Sequence, residues 1–128
     1  MQSSCQKKKK ETNQVETNIC LVHCSVPDEK IAKKLAHFLV TTHLAACVKQ
    51  ISNVLTTYEW DGQLEHNQQT LLLIKTTITA LKSVQSAILE HHPDECPEII
   101  TTPVSSGYGP YISWVEQQID LSNRTETF

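Results

Sequence analysis

Three glycines, one arginine and no apolar run long enough to cross a bilayer set the first limits on this chain of 128 residues. With glycine only at Gly62, Gly107 and Gly109, neither a phosphate-cradling Walker loop nor a dinucleotide fingerprint can be assembled. A Gly-x-Ser-x-Gly elbow is missing as well, which removes the common serine-hydrolase arrangement. There is no Cys-x-x-Cys pair and no His-Glu-x-x-His helix, so the strong zinc signatures are absent. The polar stretch from Met1 to Thr17 lacks the apolar centre of a secretory signal. A cytoplasmic protein without a membrane span is therefore expected. Five scattered cysteines, Cys5, Cys20, Cys24, Cys47 and Cys96, agree with free thiols in a reducing compartment. A formal net charge of -3 gives no basic field, so nucleic acid is not an expected partner. The basic cluster Lys7 to Lys10 is read as part of a solvated, disordered tail, or as a weak contact for an anionic surface.

What is present is a long hairpin. Asp61-Gly62 separates two strand-like segments, Ala46 to Trp60 and Leu64 to Thr76. An Asp-Gly pair supplies the positive φ angles of a two-residue type I' turn, so Trp60 and Gln63 should face each other. The first arm would extend ~50 Å at ~3.4 Å per residue, whereas a domain of this size has a radius of gyration of ~13 Å. The excess must bend, protrude or pair with another chain.

Around this hairpin the pattern is regular. Ile19 to Ser25 reads as a buried strand. The segment Ser25 to Glu29 predicts a helix start with a hydroxyl cap, and Ile31, Leu35, Phe38 and Leu39 follow at helical spacing, with Lys30, Lys33 and Lys34 on the wet side. A second helix is predicted from about Thr77 to His91, stopped by Pro93. Pro97 to Val104 reads as a fourth strand, with Pro103 suited to an edge or terminus. A closing helix opens at Pro110, with Tyr111, Trp114, Val115 and Ile119 as one face. The order strand, helix, strand, strand, helix, strand, helix is the ferredoxin-like α+β arrangement, an antiparallel sheet carrying helices on one face. The domain is placed at residues 18 to 120, between polar tails at 1 to 17 and 121 to 128. The second sheet face needs cover, and a partner subunit in a closed ring is its simplest source.

Other uses of this topology are excluded by residue type. Acylphosphatases hold phosphate with an arginine after the first strand, and the single arginine here is Arg124, in the tail. RNA-binding sheets need basic and aromatic first and third strands, which Ile19 to Ser25 is not. No enzyme reading survives.

Six motifs then occur in order: Val26-Pro27-Asp28, Leu44-Ala45-Ala46-Cys47, Tyr58-Glu59-Trp60-Asp61-Gly62, Lys75-Thr76, Pro97-Glu98 and Tyr111-Ile112-Ser113-Trp114. Over residues 18 to 120 the chain resembles the CutA divalent-cation tolerance family. The resemblance implies a homotrimer with hairpins paired between subunits, and a link to divalent metals, copper among them. One departure is Gln68-Gln69, where the family usually carries a glutamate aligned with Gln69, so a cation role that needs a carboxylate at that position is not expected here.

The ligand inventory offers Cys24, Cys47, His91, His92, Cys96 and Glu98. Cys20 and Cys24 share a strand face but stand ~13 Å apart, too far to share an ion. Cys24 is either a copper contact, as the resemblance to some bacterial members implies, or a small buried side chain. Cys47 suits ligation or close packing. His91 and His92, with Cys96 and Glu98 nearby, offer imidazole, thiolate and carboxylate for copper or zinc, yet neighbouring helical side chains diverge by about 100 degrees. The alternative for that pair is a helix end favoured by the dipole. Tyr58, Trp60, Tyr111 and Trp114 are expected in core or subunit contacts. Lys75 is expected to balance Glu98 or Glu65, within the chain or across a subunit boundary, or to hold an anionic ligand in a cleft between subunits. The expected function is a trimeric, non-enzymatic cation-binding protein linked to divalent metal tolerance; the alternatives are a trimeric small-molecule sensor of the nitrogen-regulatory signal type and a scaffold for protein partners, since animal members of the family are linked to acetylcholinesterase processing and anchoring.

Overall fold

The computed structural model describes residues 14–122. In chain order the elements are β1 (Gln14–Glu16), β2 (Ile19–Val26), α1 (Glu29–Thr41), β3 (Cys47–Trp60), β4 (Gln63–Thr77), α2 (Leu81–His91), β5 (Ile99–Pro103), β6 (Ser106–Tyr108) and α3 (Gly109–Gln118), with a 3-10 turn at Ile78–Ala80 leading into α2. The main sheet is antiparallel with strand order β3-β4-β2-β5. This is the expected ferredoxin-like α+β fold. β5 lies at the edge of the sheet, and its last residue, Pro103, needs no ladder N–H there.

Alternation on β2 and β4 decides which face carries the helices. Cys20, Val22, Cys24 and Val26 are buried, and so are their neighbours Thr70, Leu72, Ile74 and Thr76 on β4. Val22, Cys24, Val26, Leu72 and Ile74 meet Ala32, Leu35 and Leu39 from α1 and Val84, Ala87 and Ile88 from α2 in one core. Each leucine withdrawn in this way contributes about 1.5 to 3 kcal/mol of transfer free energy. Thr76 is fully buried, and its hydroxyl donates to the Leu44 carbonyl at 2.6 Å, which satisfies a polar group no strand partner reaches.

The opposite face is open except at the end where α3 packs. Three cross-strand rows lie on it, Cys47–Lys75–Leu21–Thr102, Lys49–Leu73–His23–Ile100 and Ile51–Leu71–Ser25. Ile51 and Ile100 are 44 % and 55 % exposed. Beyond the helices the β3-β4 ladder continues as a free arm to Trp60↔Gln63. Its turn has φ 53 at Asp61 and φ 75 at Gly62, the left-handed pair that a type I' connection requires. The ladder breaks once, between Ile51 and Val54, where β3 carries one residue more than β4 and Asn53 has φ 61.

Several expectations are corrected. The cap of α1 is Asp28, whose carboxylate accepts from the Ile31 N–H at 2.9 Å; Ser25 instead stays in β2 and bonds to Glu98. Val26 is fully buried in the sheet, so the chain leaves the strand only after it. The polar leader assigned to residues 1 to 17 ends earlier, because Gln14–Glu16 pair with Ser106–Tyr108 as a separate two-stranded ribbon. Residues 1–13, with the lysine cluster, lie outside the described residues, as do 123–128. On α3 the inward face is Ile112 and Val115, packed with Ile19 and Ala46 in a second small core, while Tyr111 and Trp114 point out at 42 % exposure each. Spacing alone could not separate these two faces, since Tyr111, Ile112, Trp114 and Val115 share one broad arc of the helix. No helix among the described residues is long and apolar enough to cross a membrane.

Candidate functional site: an acidic cleft beside the hairpin

Where the free arm leaves the open face, a cleft of about 590 Å³ forms between the hairpin and the α2-β5 connection. Thr56, Tyr58 and Trp60 of β3 make one wall, and Pro93 to Cys96 the other. Ser25, Gln69 and Glu98 form the floor. The hairpin wall is held by its own polar contacts: the Asn67 amide donates to the Tyr58 hydroxyl at 2.7 Å, and the Thr56 hydroxyl to the Gln69 Oε1 at 3.1 Å. The floor is tied by the Ser25 hydroxyl donating to Glu98 at 3.2 Å.

The loop wall depends on His92. Pro93 ends α2, and His92 turns inward, 8 % exposed. Its Nε2 lies 2.7 Å from the Ser25 carbonyl and its Nδ1 3.1 Å from the Asp94 N–H. A carbonyl can only accept and an amide N–H only donate, so these partners fix the neutral Nε2–H tautomer. The ring fastens the loop to the end of β2. His91 turns the other way, donating from Nδ1 to the Ala87 carbonyl at 2.8 Å and packing on Phe38 with ring centroids 4.8 Å apart.

Asp94, Glu95 and Glu98 line the cleft and no lysine or arginine does. Their negative potential reaches through the sheet. Burial, and then the charges of Glu98 and Asp94, push the Cys24 thiol up to about 12. Burial also pushes Cys20 up.

The six nominated metal ligands are therefore not one site. Cys96 and Glu98 line the cleft, and His92 stands behind it with both ring nitrogens engaged by backbone. Cys24 is fully buried on the helix side as a protonated thiol, and a thiol must ionise to bind a metal. Cys47 pairs with Lys75 at the far end of the sheet, four residues or ~13 Å from the Ser25 row. Among the described residues no three of His, Cys, Asp and Glu converge closely enough to hold an ion. The described donors of one chain do not make a closed coordination shell.

Of the residues expected at contacts, Tyr58, Trp60 and Glu65 all lie on the arm, with Glu65 opposite Tyr58. Within one chain Lys75 forms no ion pair with Glu98 or Glu65 among the described residues. Register explains it, because Glu65 lies ten residues away along β4, ~34 Å. The Lys75 ammonium instead sits 5.5 Å from the centre of the Tyr111 ring, which packs against Trp114 at 5.7 Å. Asp94, Glu95, Thr56 and Ser25 were not foreseen at the site. They come from three separate segments, and the one sequence signal in their neighbourhood was the unusual Gln69.

Comparison with known proteins gives one consistent result. A family model described as CutA1 divalent ion tolerance protein matches residues 20–118. The chain is 36% identical over 101 residues to the mouse Protein CutA, covering 79% of this chain and 57% of that one. To the Divalent-cation tolerance protein CutA of Escherichia coli it is 32% identical over 103 residues, covering 80% and 92%. The matched part thus spans little more than half of the mouse protein and 51% of its human counterpart. Among solved structures, CutA from Xylella fastidiosa superposes with a TM-score of 0.79 at 34% identity, covering 81% of this chain and 100% of that one.

Proposed function

The chain belongs to the CutA1 divalent ion tolerance family, and on that premise we propose that it works as a non-enzymatic homotrimer that collects divalent or copper cations at the acidic cleft. The observation that carries this reading is the cleft itself: three carboxylates and the Cys96 thiol gathered without an opposing cation. Such a field concentrates cations without a closed shell, so the ion is held weakly, with water or a neighbouring copy completing its coordination. Trimerisation is supported by large apolar residues left uncovered, Ile51 and Ile100 on the open sheet face, Trp60 on the arm and Tyr111 on α3. A cytoplasmic, reducing setting goes with this reading, since it keeps Cys96 free. A second reading is favoured by the cleft's size and by Tyr58 and Trp60 along it: a sensor for a small cationic or neutral molecule.

The test is a titration of the reduced full-length chain with copper(I), copper(II) and zinc, with bound metal per chain read against mass from light scattering. Saturable binding by a trimer, weakened in Cys96→Ser and Glu98→Gln and unchanged in Cys24→Ala and Cys47→Ala, is expected. Binding that follows Cys24 or Cys47 instead would overturn the cleft assignment, and a trimer that takes up no metal would leave the sensor reading in its place. Removal of residues 57–66 is expected to give monomer; a trimer that survives it would refute assembly through the hairpin.

A further inference from the structure

On the far side of the sheet, independent of the acidic cleft, a groove of about 750 Å³ runs between α1 and β3. Lys30, Lys33, Lys34 and His37 form its helical wall, at the spacing i, i+3, i+4, i+7 that puts all four on one face. Gln50, just before the break in the β3 ladder, and Ser52, within it, supply an amide and a hydroxyl across from them. Half of the lysines between Gln14 and Ser122 line this one groove, on a chain whose net charge is -3. None of the three forms an ion pair among the described residues, and Glu29 at the N-terminal mouth is the single acid of the lining. Like charges three and four residues apart destabilise a helix, so the folded protein carries this stripe at a cost that a bound anion would relieve.

We propose that this groove is a binding site for a phosphoanhydride chain, a compact polyanion with two or more linked phosphates. The donor chemistry selects that class. Planar carboxylates are recognised best by the fork of arginine, which the groove does not contain, whereas lysine ammonium groups act as point charges suited to phosphate oxygens. No Phe, Tyr or Trp lines the groove and His37 is its single ring, so a nucleobase finds no broad stacking platform and the phosphates carry the recognition. The lysine stems form apolar walls below their charged heads, and the stripe runs ~10 Å along the helix axis, so several linked phosphates can be engaged at once.

The experiment is calorimetric titration of the full-length chain with inorganic tripolyphosphate at low and at physiological salt. Saturable binding that weakens as salt rises is expected, with ATP equal to tripolyphosphate and orthophosphate much weaker. The Lys30→Gln/Lys33→Gln/Lys34→Gln variant, all surface changes, should lose about tenfold or more in affinity while Lys82→Gln on α2 leaves it unchanged. Circular dichroism and mass confirm that both variants fold and assemble as the parent does. The proposal is overturned by absence of saturable binding at low salt or by a triple variant that binds like the parent, the result expected if Lys7 to Lys10 were responsible. It is equally overturned by ATP binding far more tightly than tripolyphosphate, or by an acidic peptide binding as well as either.

Discussion

Ionising Cys24 should weaken the fold at alkaline pH, and the size of the effect follows from its position. The side chain is fully buried between the sheet and the helices, and its thiol is pushed from an ordinary value of 9.0 to about 12 by burial first and by Glu98 and Asp94 second. Between those two values the unfolded chain has released a proton that the folded chain still holds. Stability present below pH 9.0 is thus lost progressively as pH rises toward 12. By about pH 10.5 the linkage amounts to about 2 kcal/mol. Cys24→Ala removes the titrating group. Its core defect shifts stability by an amount that does not depend on pH, so the slope isolates the thiol. The assay is urea unfolding of parent and variant at matched chain concentration, from neutral pH to about pH 10.5. The parent should lose about 2 kcal/mol more than the variant over that interval. Identical slopes would refute the reasoning, and would return Cys24 to consideration as an accessible thiolate and metal ligand.

Other outcomes follow from single contacts. Asp28→Ala should cost about 1 kcal/mol in urea unfolding through loss of the bond to the Ile31 N–H, while Asp28→Asn, which keeps an acceptor, costs less. Ser25→Ala should stay within about 0.5 kcal/mol, because Ser25 does not cap α1; a larger loss than Asp28→Ala would reverse the cap assignment. Leu72→Ala, fully enclosed in the main core, should cost about 2 to 5 kcal/mol by the same measurement. Gly62→Ala should cost about 1 kcal/mol from its φ of 75 alone, since a Cβ there meets no atom within 4 Å. A larger loss would mean that the tip is packed against something in the assembled protein.

The fold was legible where a local rule and the long-range pattern agree. The apolar run Ile19 to Ser25, the Asp61-Gly62 turn and the stop at Pro93 each name an element without further context. The cap of α1 was misplaced because Ser25 and Asp28 both satisfy the local rule, and only the burial of Val26 in the strand decides between them. The outward rings on α3 were missed because nothing in the spacing distinguishes Tyr111 and Trp114 from Ile112 and Val115. The second core formed with Ile19 and Ala46 makes that choice. The cleft was half legible: Tyr58, Trp60, Cys96 and Glu98 were singled out by type. Their gathering depends on the course of the 93–98 connection, which His92 fixes through backbone contacts that leave no mark in composition.

The single extra residue near Asn53 reconciles two patterns that disagree in parity. Val48 packs toward the helices, and Trp60 faces the open side across from Gln63. The two are separated by an even number of positions, so an unbroken strand would place them on the same face. The core is thus written in one reading frame and the turn in the other, and the bulge is the frameshift between them. Removing Ser52 or Asn53 would force a choice. Either the Asp61-Gly62 turn keeps its register and Val48 rotates out of the core, or the core is kept and the arm closes on the wrong pair of residues. Length between the core and the tip is therefore as much a determinant of which side chains face the cleft as the identity of the side chains themselves.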